Sequence, residues 1–240
     1  MASRLHWFTS VGSTNDMAAA LADGGAEEGT TVVAEAQTSG RGRHGRAWHS
    51  PPGAGLYTSV ILRPAGVQPL LTLASGVAIA EAVRALTGLP AEIKWPNDVM
   101  IGKRKLAGIL TEAVAQSGRT QYVILGFGVN LEKAAYPPDL APRVTSIEAE
   151  TIQGVDRAAV LAEILARLHE GYGHLQAGRF DVILNAWRRL APSLPNARVE
   201  WDSPGGVVRG RAHDIDAEGA LLVRVDARIE RLVAGEVRWI

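Results

Sequence analysis

Between Gln37 and Gly55 the chain carries Gly40, Gly42, Gly45, Gly53 and Gly55, prolines at 51 and 52, and Arg41, Arg43 and Arg46. Regular structure cannot run through such a stretch. Glycine weakens helix and strand alike, and proline lacks the N–H that either ladder needs. Any fold for this chain must therefore be built around a long irregular loop bearing three permanent positive charges. The flanks are of the opposite kind. Thr30 to Ala36 and Leu56 to Leu62 are β-branched and apolar runs that read as strands.

Gly40-Arg41-Gly42-Arg43-His44-Gly45 matches the G-x-G-x-x-G pattern of dinucleotide-binding folds. That turn must open a helix, with an acidic residue about twenty positions later. Here Gly45, Pro51, Pro52 and Gly55 forbid the helix, and Arg63-Pro64 stands where the acid is needed. What remains is a backbone able to approach an anion closely, with guanidiniums that grip phosphate oxygens. Unbound, the loop repels itself; over a phosphate it closes as a lid. A solvated basic loop and an RNA-binding arginine loop are the alternatives at this point.

The 240 residues, 47% of them hydrophobic, suit one medium domain or a medium and a small one. Lys and Arg total 25, as do Asp and Glu, which argues against a general nucleic-acid binder. The absence of cysteine excludes disulfides, thiolate metal sites and cysteine nucleophiles. Met1 to Ser10 has no long apolar run, and Leu70 to Leu86 contains Thr72, Ser75, Glu81 and Arg84. The expectation is a soluble cytoplasmic protein with no membrane span.

Arg4 to Thr9 reads as a strand, and Ser13 with Asp16 as a capping box opening a helix to Ala22. Pro69 suits the first position of a helix that ends at Gly88. Glu92 to Trp95 is a short strand, Val99–Ile101 and Leu106–Ala113 a hairpin turning at Gly102-Lys103, and Gln121 to Gly126 a buried strand. Asp156 caps a helix to about Leu175, and a second helix spans about Phe180 to Leu190. After Pro192 come short strands only: Arg198–Trp201, Val207–Ile215, Ala220–Val225, Ile229–Val233 and Val237–Ile240. Strands and helices do not alternate strictly before that point. The expectation is therefore an α+β domain over 1–191, with a mixed sheet and flanking helices, and an SH3-like β-barrel over 192–240.

Lys94-Trp95-Pro96-Asn97-Asp98 leaves a strand through a turn stiffened by Pro96, with Lys103, Arg104 and Lys105 following. A lysine and a carboxylate held near a phosphate loop suit adenylate chemistry. A structural Asn97-Asp98 turn with surface lysines is the bland reading. Gly126-Phe127-Gly128-Val129-Asn130 ends a strand on which a flat ligand can lie close. There Asn130 could read an adenine edge, or simply turn the chain.

Taken in order, these segments resemble the biotin–protein ligase family. Ser13-Thr14-Asn15 resembles its biotin-side motif. Gln37-Thr38-x-Gly40-Arg41-Gly42-Arg43-x-Gly45-Arg46-x-Trp48 resembles its biotin- and phosphate-binding loop. Lys94-Trp95-Pro96-Asn97-Asp98, Lys105-Leu106-Ala107-Gly108-Ile109-Leu110, Gly126-x-Gly128-x-Asn130 and Val144-Thr145-Ser146-Ile147 match further motifs. Any one is weak; five in register are specific.

The resemblance implies a class II synthetase-like core that makes biotinyl-5'-AMP and pyrophosphate from biotin and ATP. Biotin would then pass to a lysine of a biotin carboxyl carrier protein, releasing AMP. It implies that Ser13, Thr14, Asn15 and Gln37 hold the ureido end of biotin, and that Gly40, Gly108, Gly128 and Trp48 line its slot. It implies that Arg41, Arg43 and Arg46 grip carboxylate and phosphates, and that Lys105, assisted by Lys94, stabilises the α-phosphate. Asp98 would serve the acceptor lysine, and Asn97 and Asn130 would contact the nucleotide. Mg2+ would be held largely by phosphates, with Asp98 a possible ligand. Because the motifs begin by Ser13, the resemblance implies a monofunctional form without a DNA-binding repressor domain. A homodimer through the edge of the central sheet is compatible, and no nucleic acid or membrane partner is expected.

A lipoate ligase is the nearest rival, and would not be expected to carry this glycine–arginine loop or K-W-P-N-D. A cysteine-dependent octanoyl transferase is excluded. A non-catalytic nucleotide sensor or an RNA-binding module would be the reading from another class. His169-Glu170-Gly171-Tyr172-Gly173-His174 is one residue too long for a zinc helix. Trp7, Trp95, Trp187, Trp201 and Trp239 are expected in the core or at a domain interface.

Overall fold

Side chains alternate between the two faces of a strand, and that alternation sorts the core of this protein into two layers. The computed structural model describes residues 4–66, 68–116, 119–233 and 235–240. Within them, β1 (Leu5–Phe8), β2 (Thr31–Ala34), β3 (Gly55–Leu62), β4 (Ala91–Lys94), β5 (Asp98–Ile101), β6 (Arg104–Gln116) and β7 (Arg119–Asn130) form one sheet. Their order is β1-β2-β3-β7-β6-β5-β4. β1 and β2 are parallel, joined by the helix α1 (Thr14–Asp23), and every other neighbouring pair is antiparallel. The sheet is mixed and helix-flanked, as the α+β expectation requires.

Val33, Leu56, Val60, Ile109, Leu125 and Phe127 pack into the main core with α2 (Leu71–Thr87). The short α3 (Ile147–Thr151) precedes α4 (Arg157–Gln176) and α5 (Phe180–Leu190), and all three contribute to that core. The intervening residues Val32, Ile61, Tyr122 and Ile124 face the other way, against Ala18 and Ala22 of α1. At ~1.5 Å per residue, α1 is too short to cover that whole face. Past its N-terminus the same face continues through Ser59, Gly126, Gly128 and Gly108, the last two being cross-strand partners. There the sheet is nearly bare backbone.

The C-terminal strands β8 (Arg198–Ser203), β9 (Gly206–Ile215), β10 (Leu221–Val225), β11 (Arg228–Leu232) and β12 (Val237–Trp239) form a second sheet, all antiparallel. Its order is β11-β10-β9-β8-β12. No pairing among the described residues joins β11 to β12. The SH3-like unit is therefore a five-stranded sheet here, not a closed barrel. Its inner residues Val199, Trp201, Leu221 and Val223 extend the main core. The indole Nε1 of Trp95 donates to the Gly219 carbonyl at 2.9 Å, tying the Lys94-to-Asp98 turn to the β9–β10 connection.

Several sequence expectations shift. Pro69 precedes the N-cap, because the helix starts at Leu71 after a turn in which Leu71 N bonds Gln68 O. Ser13 is the N-cap of α1, but its hydroxyl caps no N–H; the carbonyl of Ser13 takes the first helical bond instead. Trp7 is not in the core: it lies on the edge strand, 43% exposed, bonded to Glu35. Asp156 caps α4 as expected, accepting from Ala158 N. Trp187 is fully buried between helices and sheet. We predict that Trp187→Ala lowers the unfolding free energy by about 3–5 kcal/mol, measured by urea denaturation; a loss of about 0.5 kcal/mol or less, as at an ordinary surface position, would contradict this packing.

Candidate functional site

The bare end of the sheet is the floor of a cavity of about 730 Å3, within the ~300–1,000 Å3 usual for small-molecule sites. Its floor requires glycine. A Cβ on Gly128 would meet the Trp48 indole at 2.5 Å, one on Gly108 would meet the same ring at 2.9 Å, and one on Gly126 would run into the Asn15 carboxamide. The indole of Trp48 therefore lies directly over backbone, with the Lys105 ammonium 5.0 Å from its centroid.

The deep end is a hydrogen-bonded chain. Thr14 donates to Gln37 Oε1 through both its N–H (2.9 Å) and its hydroxyl (3.1 Å). Gln37 Nε2 donates to Ser50 Oγ, which donates to the Trp48 carbonyl. Ser59 Oγ reaches Thr14 Oγ1 (2.8 Å) and Asn15 Oδ1 (2.5 Å), and Asn15 Nδ2 donates to Glu112 Oε2 (2.5 Å). Both arms of the Gln37–Gly55 loop are thereby fixed to the N-terminus of α1. A Cβ on Gly40 would meet Gln37, Ser50 and the Trp48 carbonyl, each at 2.8 Å. Gly40 lies behind the cavity wall and does not line it.

The loop itself is folded. Gly42 N bonds Arg46 O, Trp48 N bonds Gly40 O, and Arg43–Gly45 form a 3-10 turn with His44 at φ 57°. The self-repulsion expected of three guanidiniums is relieved by carboxylates. Arg41 meets Asp16 at 2.7 Å and both oxygens of Glu112 at 3.2 and 3.0 Å. These acids, Asp16 foremost, make Arg41 hold its proton still more tightly. Arg46 pairs with Glu236, whose carboxyl it holds below the usual range. Arg43 spans the gap between Asn97 Oδ1 (3.4 Å) and the Gly235 carbonyl (3.3 Å). Its guanidinium is the least compensated of the three. Burial lowers its pKa, with Asp98 and Glu236 opposing.

The Lys94-to-Asp98 turn, which contains a cis Trp95–Pro96 bond, delivers one carboxylate among cations. Asp98 binds Lys105 Nζ at 2.6 Å and raises the pKa of Arg43 and Lys94 by its charge. Lys94, whose ammonium sits 5.5 Å from the Trp239 ring, is pushed below the usual lysine range, first by burial and also by Lys105. Asn97 Nδ2 donates to the Ile109 carbonyl, and Asn130 Nδ2 to the Thr145 carbonyl at 2.9 Å. One surplus of positive charge, centred on Asp98, thus faces a slot of bare backbone. Such a site suits a ligand with an apolar flat body and an anionic end.

Apart from Gly40, every residue expected to bind or catalyse lines this one cavity; Arg104 and most of the Val144–Ile147 motif lie outside it. The structure adds others. Glu112 and Ser59 fasten its floor, and each has a sequence signal: a polar side chain inside an apolar strand needs a partner. Glu200, Glu236, Arg238 and Trp239 line it from the second sheet. No local pattern marks them, because that wall depends on how the two sheets meet. Among the described residues no three His, Asp or Glu side chains gather as a metal site. Asp98 is held by Lys105.

Residues 7–130 match the biotin/lipoate A/B protein ligase family, and residues 196–238 match the C-terminal domain of biotin protein ligases. The chain belongs to the biotin/lipoate A/B protein ligase family. The bifunctional ligase/repressor BirA of Bacillus spizizenii is 36% identical over 95% of this chain and 71% of its own length. The biotin–[acetyl-CoA-carboxylase] ligase of Mycobacterium tuberculosis is 36% identical over 94% of this chain and 85% of its own. Among solved structures, a biotin protein ligase from Aquifex aeolicus in complex with biotin and ATP superposes with a TM-score of 0.87, at 28% identity and 99% coverage of both chains. Within this family member the Asp98 cluster is expected to be salt-sensitive. Asp98→Asn leaves Lys94 and Lys105 uncompensated and Arg43 with Glu236 only, and lowers stability by about 1–3 kcal/mol at low ionic strength, and by less at high salt, where the repulsion is screened. Denaturation at two salt concentrations checks this; an equal loss at both contradicts it.

Proposed function

We propose that this chain is a biotin–protein ligase. In two steps it forms biotinyl-5'-AMP from biotin and ATP, then transfers biotin to a lysine of a biotin carboxyl carrier protein. The observation that carries the reading is the placement of Lys105, Lys94 and Arg43 around Asp98 at the mouth of a glycine-floored slot.

In the first step a biotin carboxylate oxygen attacks the α-phosphorus of ATP. The new P–O bond forms as the bond to the β-phosphate oxygen breaks, and pyrophosphate leaves. Anion meets anion, so cations are needed for approach and for the transition state. Lys105 turns from Asp98 toward the α-phosphate, Lys94 assists, and Arg43 grips the carboxylate and phosphate. Ser13, Thr14, Asn15 and Gln37 hold the ureido ring, with Gly108, Gly128 and Trp48 as slot and wall. Arg41 is committed to two acids, Asp16 and Glu112, so we assign it to holding the loop shut over the slot; Arg43, and Arg46 on leaving Glu236, serve the phosphates. Asn97 holds Arg43, and Asn130 keeps a carboxamide oxygen for the nucleotide base. Mg2+ would be held largely by the phosphates of ATP and would offset part of their charge.

In the second step the acceptor amine must be neutral to attack the carbonyl carbon of the mixed anhydride. Asp98, freed from Lys105, receives its proton as the amide forms and AMP leaves. A folded loop over the slot keeps water from the anhydride. Residues 1–191 carry the chemistry in this reading, and 192–240 close the nucleotide end. A cytoplasmic location and a homodimer through the exposed edge of β1 belong to the same proposal. No nucleic-acid partner is invoked. None of the described helices is long and apolar enough to cross a membrane.

Pyrophosphate release tests the reading, with biotin, with lipoate and with neither. We expect release with biotin only. Lys105→Ala cuts it by about a hundredfold or more, the loss typical of one preorganised electrostatic contact. Release with lipoate instead would transfer the assignment to a lipoate ligase; release with neither would end it.

The pH profile carries a sign. Lys94 is pushed below the usual lysine range, so as pH rises it sheds its proton before an ordinary lysine. Release should therefore decline on the alkaline side below pH ~10.4, the unperturbed lysine value. Lys94→Arg should move that decline upward, since arginine keeps its charge. An unmoved alkaline limb would count against Lys94.

A further inference from the structure

Cross-strand pairing in the second sheet sets three arginines side by side on its outer face. Arg198 of β8 is directly opposite Arg211 of β9, and Arg211 is directly opposite Arg224 of β10. Paired residues share a face, and neighbouring strands lie ~4.8 Å apart, so three arginines are rooted in a row about 10 Å long. All three are exposed. Like charges directly opposite one another destabilise a sheet. The acids on this face pair with other arginines instead. Arg209 pairs with Glu200, and Arg238 pairs with Glu200 and Asp202. Among the described residues, Arg198 and Arg224 have no ion pair, and Arg211 bonds only the Asn196 carbonyl. The row ends in exposed isoleucine: Ile229, opposite Arg224, is 47% exposed.

This face adjoins the site. Glu200 and Arg238, in the next cross-strand row, line the cavity in which the adenylate would form. A protein that presents a lysine to that cavity from this side lies against this face.

The geometry points to the Arg198–Arg211–Arg224 row as the docking surface for the acceptor protein, engaging carboxylates that flank the acceptor lysine. The inference rests on the ligase reading. The row is short, capped by an apolar side chain, and followed by a row in which Glu200 and Asp202 are already paired with Arg209 and Arg238. That pattern suits a few carboxylates beside an apolar contact on a protein partner better than the long run of phosphates a nucleic acid presents.

The test uses the full chain, ATP, biotin and a purified apo biotin carboxyl carrier domain, comparing wild type with the triple variant Arg198→Gln/Arg211→Gln/Arg224→Gln and with Arg211→Gln alone. The triple variant should raise the acceptor KM by about tenfold or more, with kcat little changed. It should flatten the salt dependence of kcat/KM for the acceptor. Biotin-dependent pyrophosphate release without acceptor should stay at the wild-type rate, and the melting temperature should not fall. Arg211→Gln should show the same effects in smaller degree, which keeps the test decisive if the triple variant misfolds. An unchanged acceptor KM with intact pyrophosphate release would overturn the docking face alone. A wild type that releases no pyrophosphate would overturn the ligase reading, and this inference with it. Binding of a short DNA or RNA duplex that is lost in the variant, with acceptor KM unchanged, would give the row to nucleic acid instead.

Discussion

The site depends on one steric constraint: a stretch of sheet without side chains. α1 covers only part of its face, and where it stops the strands present Gly108, Gly126 and Gly128. A side chain at any of the three would displace Trp48 or Asn15. Everything polar in the site is placed relative to that floor. The Asn15–Ser59–Thr14–Gln37 chain crosses its deep end, and Trp48 lies over its middle. Lys105 reaches its mouth from the strand that bears Gly108.

The second constraint is electrostatic. Five cationic side chains in and beside the loop would not stay together unaided. Two acids neutralise Arg41 at the closed end, Glu236 holds Arg46 at the far end, and Asp98 serves Lys105, Lys94 and, together with Glu236, Arg43 between them. The surplus charge therefore sits where an anhydride would be made, not spread along the loop. Because Glu236 and the Gly235 carbonyl come from the segment leading into β12, the second sheet helps shape the reactive end.

Much of this was legible in the sequence because the signals were local. Alternating and β-branched runs placed most of the strands, Asp156 marked the start of α4, and Gly102-Lys103 marked the β5–β6 turn. Other features were not local. Asp16 reads as a capping residue, yet its partner is Arg41, in the loop beyond β2. Arg41 reads as a phosphate ligand only until Glu112 is brought beside it by β6. Trp7 reads as core from its type, but the edge position of β1 leaves it exposed. The wall supplied by Glu200 and Trp239, and the arginine row, exist only through strand register and the meeting of two sheets.

The most direct test of this account is a crystal structure of the protein after incubation with biotin and ATP. The account predicts a biotinyl-adenylate with its flat ring system on Gly108 and Gly128 beneath Trp48. The carboxyl–phosphate linkage should lie within hydrogen-bonding reach of Lys105 and Arg43, with Lys105 drawn from Asp98 and Arg41 still held by Asp16 and Glu112. An adenylate bound elsewhere, or one in this slot with its phosphate turned from Lys105 and gripped by Arg41, would contradict it.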